Sequence, residues 1–182
     1  MTIYIPIGIS GSGKSSYQKK FLPKVNVICP DTIRKQLTGD VSNQSMNTEV
    51  WIVAYDQLES YVIKGEDVYF SSTNLSTKAI DLVINKVESV RAKNLKVKYE
   101  ILLLTDSEDE ELCRSRVRTD LENKIDRSNT LVQADDGEGN LLDYDVIHKQ
   151  HEDYLKMKNE VKGVMSAYFE SGLDFEYEIK EV

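Results

Sequence analysis

Apolar residues recur along the chain in two alternating rhythms, short unbroken runs and one-sided helical stripes. The runs at 2–9, 25–28, 68–70 and 97–104 predict strands. Helical spacing predicts a helix over 14–22, with Pro23 just beyond it, and a short helix starting near Asp31. Residues 37–45 are polar and read as a loop. From Asn47 to Lys64 one face carries Val50, Val53, Ala54, Leu58, Tyr61 and Val62, and Gly65 caps the helix. Ser76 is placed to N-cap a helix whose core face reads Ala79, Leu82, Val83, Lys86, Val87 and Val90. Ser107 and Glu110 form a capping-box pair, and the neighbouring acids suit a helix dipole. Residues 128–145 read as a flexible loop. A long helix over 144–171 presents Ile147, Tyr154, Leu155, Val161, Val164, Met165, Tyr168 and Phe169, with Gly172 at its end. Residues 175–179 add an edge strand. Strand and helix alternate, which predicts three α/β/α layers around a central parallel sheet of four to five strands. The whole chain, 1–182, reads as one domain, with a helical lid over about 106–144.

One loop changes the picture from fold to chemistry. Gly8 to Ser15 reads G-x-x-x-x-G-K-S, directly after the first strand and before a helix. This is the phosphate-binding P-loop pattern. Glycines let successive N–H groups point at phosphate oxygens, and the following helix adds its positive end. Ser10, Gly11, Ser12, Gly13, Lys14, Ser15 and Ser16 are therefore the candidate ATP-binding residues. Lys14 would reach the β- and γ-phosphates, and the Ser15 hydroxyl would ligate Mg²⁺.

Charge narrows the acceptor. The net charge is 23 − 31 = −8, which argues against a broad electrostatic grip on duplex DNA. A local basic pocket for a nucleotide or a nucleic-acid end stays open. Cys29 and Cys113 lack metal or redox spacing and read as reduced thiols of a cytoplasmic protein. The N-terminal residues lack a signal-like pattern and no apolar run is long enough to cross a membrane.

Ligands of an open α/β sheet bind at the carboxyl ends of its strands. The P-loop, Asp31, Ser71–Asn74 and Thr105–Asp106 all fall there. Asp31 and Arg34, at i and i+3, suit a carboxylate that accepts a hydroxyl proton and a guanidinium that orients a phosphate. An N-cap and a surface arginine are the structural alternative. Arg114 and Arg118 share a face of the next helix, with Arg116 on another face. Either could neutralise a transferring phosphoryl group, or serve an ordinary charged helix. His148 and His151 suit surface or packing roles. Trp51 and the tyrosines could stack a base, or be core.

Taken together, G-I-S-G-S-G-K-S, C-P-D-T-I-R at 29–34, S-S-T-N-L at 71–75, E-L-C-R-S-R-V-R at 111–118 and D-V-I at 145–147 resemble the 5′-kinase domain of bacteriophage polynucleotide kinases. The resemblance runs from residue 2 to about 160, with gaps. It implies a P-loop kinase-type fold and ATP-dependent phosphorylation of a nucleic-acid 5′-hydroxyl. It implies Asp31 as general base, Arg34 on the acceptor, Lys14 and Ser15 on ATP and Mg²⁺, and Arg118 on the donor phosphates, with Arg114 one turn before it. Relatives form homo-oligomers. Two departures stand out. Ser72 occupies the place of a family aspartate, so either Asp106 compensates or the acceptor differs. The phosphatase domain of bifunctional relatives has no counterpart motif, so no phosphatase activity is expected. A kinase for a nucleoside, a nucleotide sugar or a hydroxymethylated base, and a non-catalytic nucleotide-binding protein, are the competing readings.

Overall fold

The main sheet is built from β1 (Thr2–Ile7), β2 (Asn26–Ile28), β3 (Val68–Phe70), β4 (Lys98–Leu103) and β7 (Glu176–Glu181). These strands assemble in the order β2-β3-β1-β4-β7, all parallel. The helices are α1 (Lys14–Phe21), α2 (Pro30–Thr38), α3 (Asn47–Lys64), α4 (Thr77–Val90), α5 (Glu110–Glu122) and α6 (Val146–Glu170). A small antiparallel pair, β5 (Gln133–Asp135) and β6 (Leu141–Asp143), lies between α5 and α6 in the chain. This computed structural model describes residues 1–123, 125, 133–135, 141–143, 146–171 and 176–182. The loop expected over 128–145, the far part of the expected lid and Gly172 fall largely outside the described residues.

The three-layer arrangement is present, but its two outer layers are unequal. Alternate residues of β1 point to opposite faces. Ile3, Ile5 and Ile7 enter a large core with buried residues of α3, α4, α5 and α6. Among the described residues, the opposite face carries only Tyr69, Leu102 and Leu104 as buried apolar residues, with Tyr17, Leu22 and Val25 packed against them. There the edge of the sheet turns polar: Lys98 reaches Glu178 at 2.6 Å and Lys180 reaches Glu100 at 2.8 Å.

Three local expectations change. The N-cap of α5 is Asp109, whose carboxylate accepts from Leu112 N at 2.9 Å. Ser107 is not that cap, because its hydroxyl accepts the Ile9 N–H at 3.2 Å and 105–108 form a 3₁₀ turn. The core face of α4 is Ile80, Val83, Ile84 and Val87. Leu82 is exposed and Lys86 pairs with Glu59 at 2.5 Å, since the helix is rotated to bury the isoleucines. On α6, Leu155 and Phe169 are exposed and Met157 is buried instead. The expected Ser76 cap is present, its hydroxyl accepting from Ala79 N at 3.2 Å.

Candidate active site around the P-loop

The P-loop follows β1, the middle strand of the sheet, so both flanks of the sheet can contribute to its surroundings. Gly11 and Gly13 have φ of 83° and 89°, the left-handed region that suits glycine. Gly13 is also the N-cap of α1. At Gly11 an added Cβ would collide with the Cys113 carbonyl, whereas at Gly13 it would meet open space. Close approach of α5 to the loop therefore explains Gly11, and conformation alone explains Gly13.

The loop's polar groups are held by protein partners. Lys14 Nζ donates to the Gly8 and Ile9 carbonyls at 2.8 and 2.7 Å. Ser10 N donates to Gln150 Oε1 of α6 at 2.9 Å. Arg116 Nη1 donates to the Gly11 carbonyl at 3.1 Å and to Asp106 Oδ2 at 2.7 Å. Tyr69 OH donates to the Lys14 carbonyl at 2.9 Å, and burial pushes its phenol well above the usual range. Ser12 is buried beneath the loop and its Oγ lacks a hydrogen-bond partner. Its place in the site is therefore through the backbone. Cys113, also buried, donates its Sγ–H to the Asp106 carbonyl at 3.1 Å, and burial lifts the thiol to about 11.

Two cavities flank the loop and share Lys14 and Ser15. The first, about 540 Å³, lies against α5 and takes in Gly11, Ser16, Lys20, Asp106, Arg116 and Asp120. The second, about 810 Å³, lies against α2 and takes in Ser10, Asp31, Arg34, Lys35, Ser72 and Trp51. Both fall within the size range of ligand sites.

Asp31 is the second residue of α2, after the Cys29 N-cap and Pro30 at the first helical position. It is not the cap, and its side chain is 49 % exposed. Arg34, with a side chain only 6 % exposed, pairs with Asp31 through Nη1. Its Nη2 donates to Asn47 Oδ1 at 3.3 Å and Nη1 to the Val41 carbonyl at 3.5 Å. A buried guanidinium thus fixes a carboxylate that opens into the cavity. Asn74, at φ 51°, donates its side-chain amide to the Pro6 carbonyl at 2.8 Å, and Gly8 N donates to Thr73 O at 3.1 Å. These bonds pin Ser71–Asn74 beside the P-loop.

The arginines of α5 separate. Arg116 contacts the loop. Arg114 pairs with Glu110 at 2.5 Å, and Arg118 Nη1 stands 3.8 Å from Glu111 Oε1. Asp106 lines the first cavity beside Arg116, and Ser72 lines the second. His148 Nδ1 meets Glu110 Oε2 at 2.9 Å and His151 Nδ1 meets the Ser107 carbonyl at 2.8 Å. Both tie α6 to the segment before and within α5.

A family model for an AAA domain matches residues 3–134, which include the P-loop, Asp31, Arg34, Ser71–Asn74 and the α5 arginines. The chain belongs to the AAA domain family. No curated protein matches this AAA domain in sequence. Among solved structures it is similar to deoxyadenosine kinase from M. mycoides with bound dATP (15% identity, 99% of this chain and 90% of that one, TM-score 0.47). It is similar to a chain of the PezAT chromosomal toxin–antitoxin system of Streptococcus pneumoniae (16% identity, 99% and 68%, TM-score 0.48). It is also similar to a gluconokinase from Sinorhizobium meliloti 1021 (18% identity, 93% and 97%, TM-score 0.35).

Among the described residues no helix is long and apolar enough to cross a membrane. Gln150, Arg116, Lys19 and Lys35 stand around the loop and were not singled out from the sequence. Gln150 is 140 positions from Ser10 and carries no local signal. Arg116 sits in the same run as Arg114 and Arg118, and only the docking of α5 on Gly11 selects it.

Proposed function

We propose that this AAA domain transfers the γ-phosphoryl group of ATP to a hydroxyl acceptor, the 5′-hydroxyl of a polynucleotide. The observation that carries the reading is the placement of the Asp31 carboxylate in the same cavity as Lys14 and Ser15. The wall of that cavity also carries Lys19, Arg34 and Lys35. Among the described residues, four cations against one carboxylate suit the phosphates of a nucleic-acid end, although the chain as a whole is acidic.

In this reaction Asp31 accepts the proton of the acceptor hydroxyl. The acceptor oxygen forms a bond to the γ-phosphorus while the bond to the β-bridging oxygen breaks, and that oxygen leaves with ADP. Lys14 exchanges its two loop carbonyls for phosphate oxygens, and Arg116 lies where the donor phosphates pass on the α5 side. Arg118 and Arg114, the lid arginines of the polynucleotide kinase resemblance, would take that role on rearrangement of α5. Mg²⁺ would supply charge neutralisation at the phosphates and would need one hydroxyl from the protein. Ser15, exposed at the start of α1 and shared by both cavities, fits that requirement.

Ser72 favours a second reading. Ser72 stands where the polynucleotide kinases carry an aspartate, and among the described residues Asp31 is the one carboxylate lining the acceptor cavity. A small hydroxyl acceptor, such as a nucleoside, suits that change. Transfer from γ-labelled ATP to a 5′-hydroxyl oligonucleotide, its 5′-phosphorylated control and a nucleoside mixture separates the two. Labelling of the 5′-hydroxyl oligonucleotide alone, lost in Asp31→Asn, is the expected result. Labelling of nucleosides alone would replace the acceptor, and labelling of none would remove the kinase reading.

A further inference from the structure

We propose that Trp51 is the platform on which the nucleobase of the acceptor's 5′-terminal nucleotide stacks. This deepens the phosphoryl-transfer reading and rests on it. Trp51 is the only tryptophan of the chain. It is partly buried in α3 and lines the acceptor cavity with Asp31 and Arg34. It also lines a third cavity of about 310 Å³, shared with Tyr55, Phe70 and Leu82. The indole therefore stands between the place of the reacting hydroxyl and an apolar recess.

That recess has the character of a base site. The rings of Trp51, Tyr55 and Phe70 lie near-parallel, with centroids 5.8–6.4 Å apart and interplanar angles of 19–28°. Leu82 beside them is 46 % exposed. An apolar side chain open to solvent next to an aromatic stack gains by being covered. A sugar hydroxyl delivered to Asp31 brings its own base along, and every base offers a π-face. The nucleotide donor is an unsuitable occupant, because its cavity lies across the P-loop and does not include Trp51. Phosphates that follow the first nucleotide would meet Lys19 and Lys35 on the same wall. Stacking of this kind tolerates any base, so the acceptor preference is for a base-bearing terminus, with little preference among bases.

A single tryptophan makes the test direct, since intrinsic fluorescence reports this one side chain. The full chain is titrated without ATP with a 5′-hydroxyl oligothymidylate, with the same oligonucleotide carrying an abasic 5′ residue, and with thymidine. Quenching by the first and its loss with the abasic terminus are expected. Quenching by thymidine alone supports the stacking and moves the acceptor to the nucleoside. In steady state, Trp51→Ala raises the acceptor KM by about tenfold, the change falling on KM more than on kcat, and Trp51→Phe recovers most of it. Equal quenching and equal KM for the abasic and base-bearing acceptors would overturn the proposal, without reliance on any variant. Absence of phosphorylation of every acceptor by the wild type would remove the kinase reading, while the quenching titration would still decide on stacking.

Discussion

The two cavities beside the P-loop share Lys14 and Ser15 yet are built on different terms. On the α5 side the wall is a set of exchangeable contacts: Arg116 and Asp106, both partly exposed, pair with each other, and Arg116 also reaches the Gly11 carbonyl. On the α2 side a nearly buried guanidinium holds Asp31 from beneath, with Asn47 and Val41 as further anchors. The charges differ as well. Lys14, Lys20 and Arg116 face Asp106 and Asp120 in the first cavity, whereas Lys14, Lys19, Arg34 and Lys35 face Asp31 in the second. A wall that must rearrange around a nucleotide tolerates soft contacts. A carboxylate that must meet one hydroxyl needs a rigid support.

The largest effects would break this division of labour. Asp31→Asn lowers transfer by about 10²–10⁴-fold, the usual contribution of a general base, and leaves ATP binding in place. Lys14→Ala lowers transfer by about 10²–10³-fold and weakens ATP binding as well, because its side chain belongs to both cavities. Rate measurements paired with nucleotide-binding titrations check both. Equal loss of ATP affinity in the two variants would mean that the cavities do not divide donor from acceptor.

A smaller effect sharpens the view of the α5 wall. Gly11→Ala and Gly13→Ala both bear left-handed strain of about 1–2 kcal/mol. Only Gly11→Ala adds a clash with the Cys113 carbonyl, an overpacking cost of about 1–3 kcal/mol. Urea unfolding is expected to rank Gly11→Ala below Gly13→Ala. The reverse order would place the close approach of α5 elsewhere. Next in size, Arg116→Ala weakens ATP binding about tenfold, the worth of one charge-assisted contact. A larger loss in Arg118→Ala would return the donor-phosphate role to the arginine that the polynucleotide kinase resemblance names.

What the sequence made legible was local. The P-loop, the strands on either side of it and the Ser76 cap are each written within a few residues, so pattern and propensity suffice. Asp31 was legible as a candidate because it follows a strand at its carboxyl end, but its support was not. That Arg34 is buried, and reaches Asn47, depends on how α2 packs against α3. That Arg116 reaches the Gly11 carbonyl depends on how α5 docks on the P-loop, through contacts between Ser107 and Ile9, 98 positions apart, and between Cys113 and Gly11. Ser107 had the signature of a cap, and a tertiary partner claimed its hydroxyl first. Leu82 fitted the core stripe of α4 by spacing, but its face meets the aromatic recess.

The smallest expected effect reaches the same α5 wall through pH. Glu110, in the first turn of α5, accepts from the His148 ring and from Arg114, and these bonds hold its carboxyl below the usual value of 4.5 against the opposing effect of burial. A carboxyl whose folded value lies below its unfolded one binds fewer protons when folded. Its contribution to stability is therefore complete above about 4.5 and fades as pH falls through the depressed folded value. Glu110→Gln removes the charge that draws His148 and Arg114 together. The difference in urea midpoint between wild type and Glu110→Gln is expected to be small and constant above that value and to close below it. A gap that widens on acidification would mean that the tie between α5 and α6 does not depend on the ionised carboxylate. The docking of α5 on Gly11 would then rest on the Val117 and Cys113 packing and on the Arg116 contact with the Gly11 carbonyl.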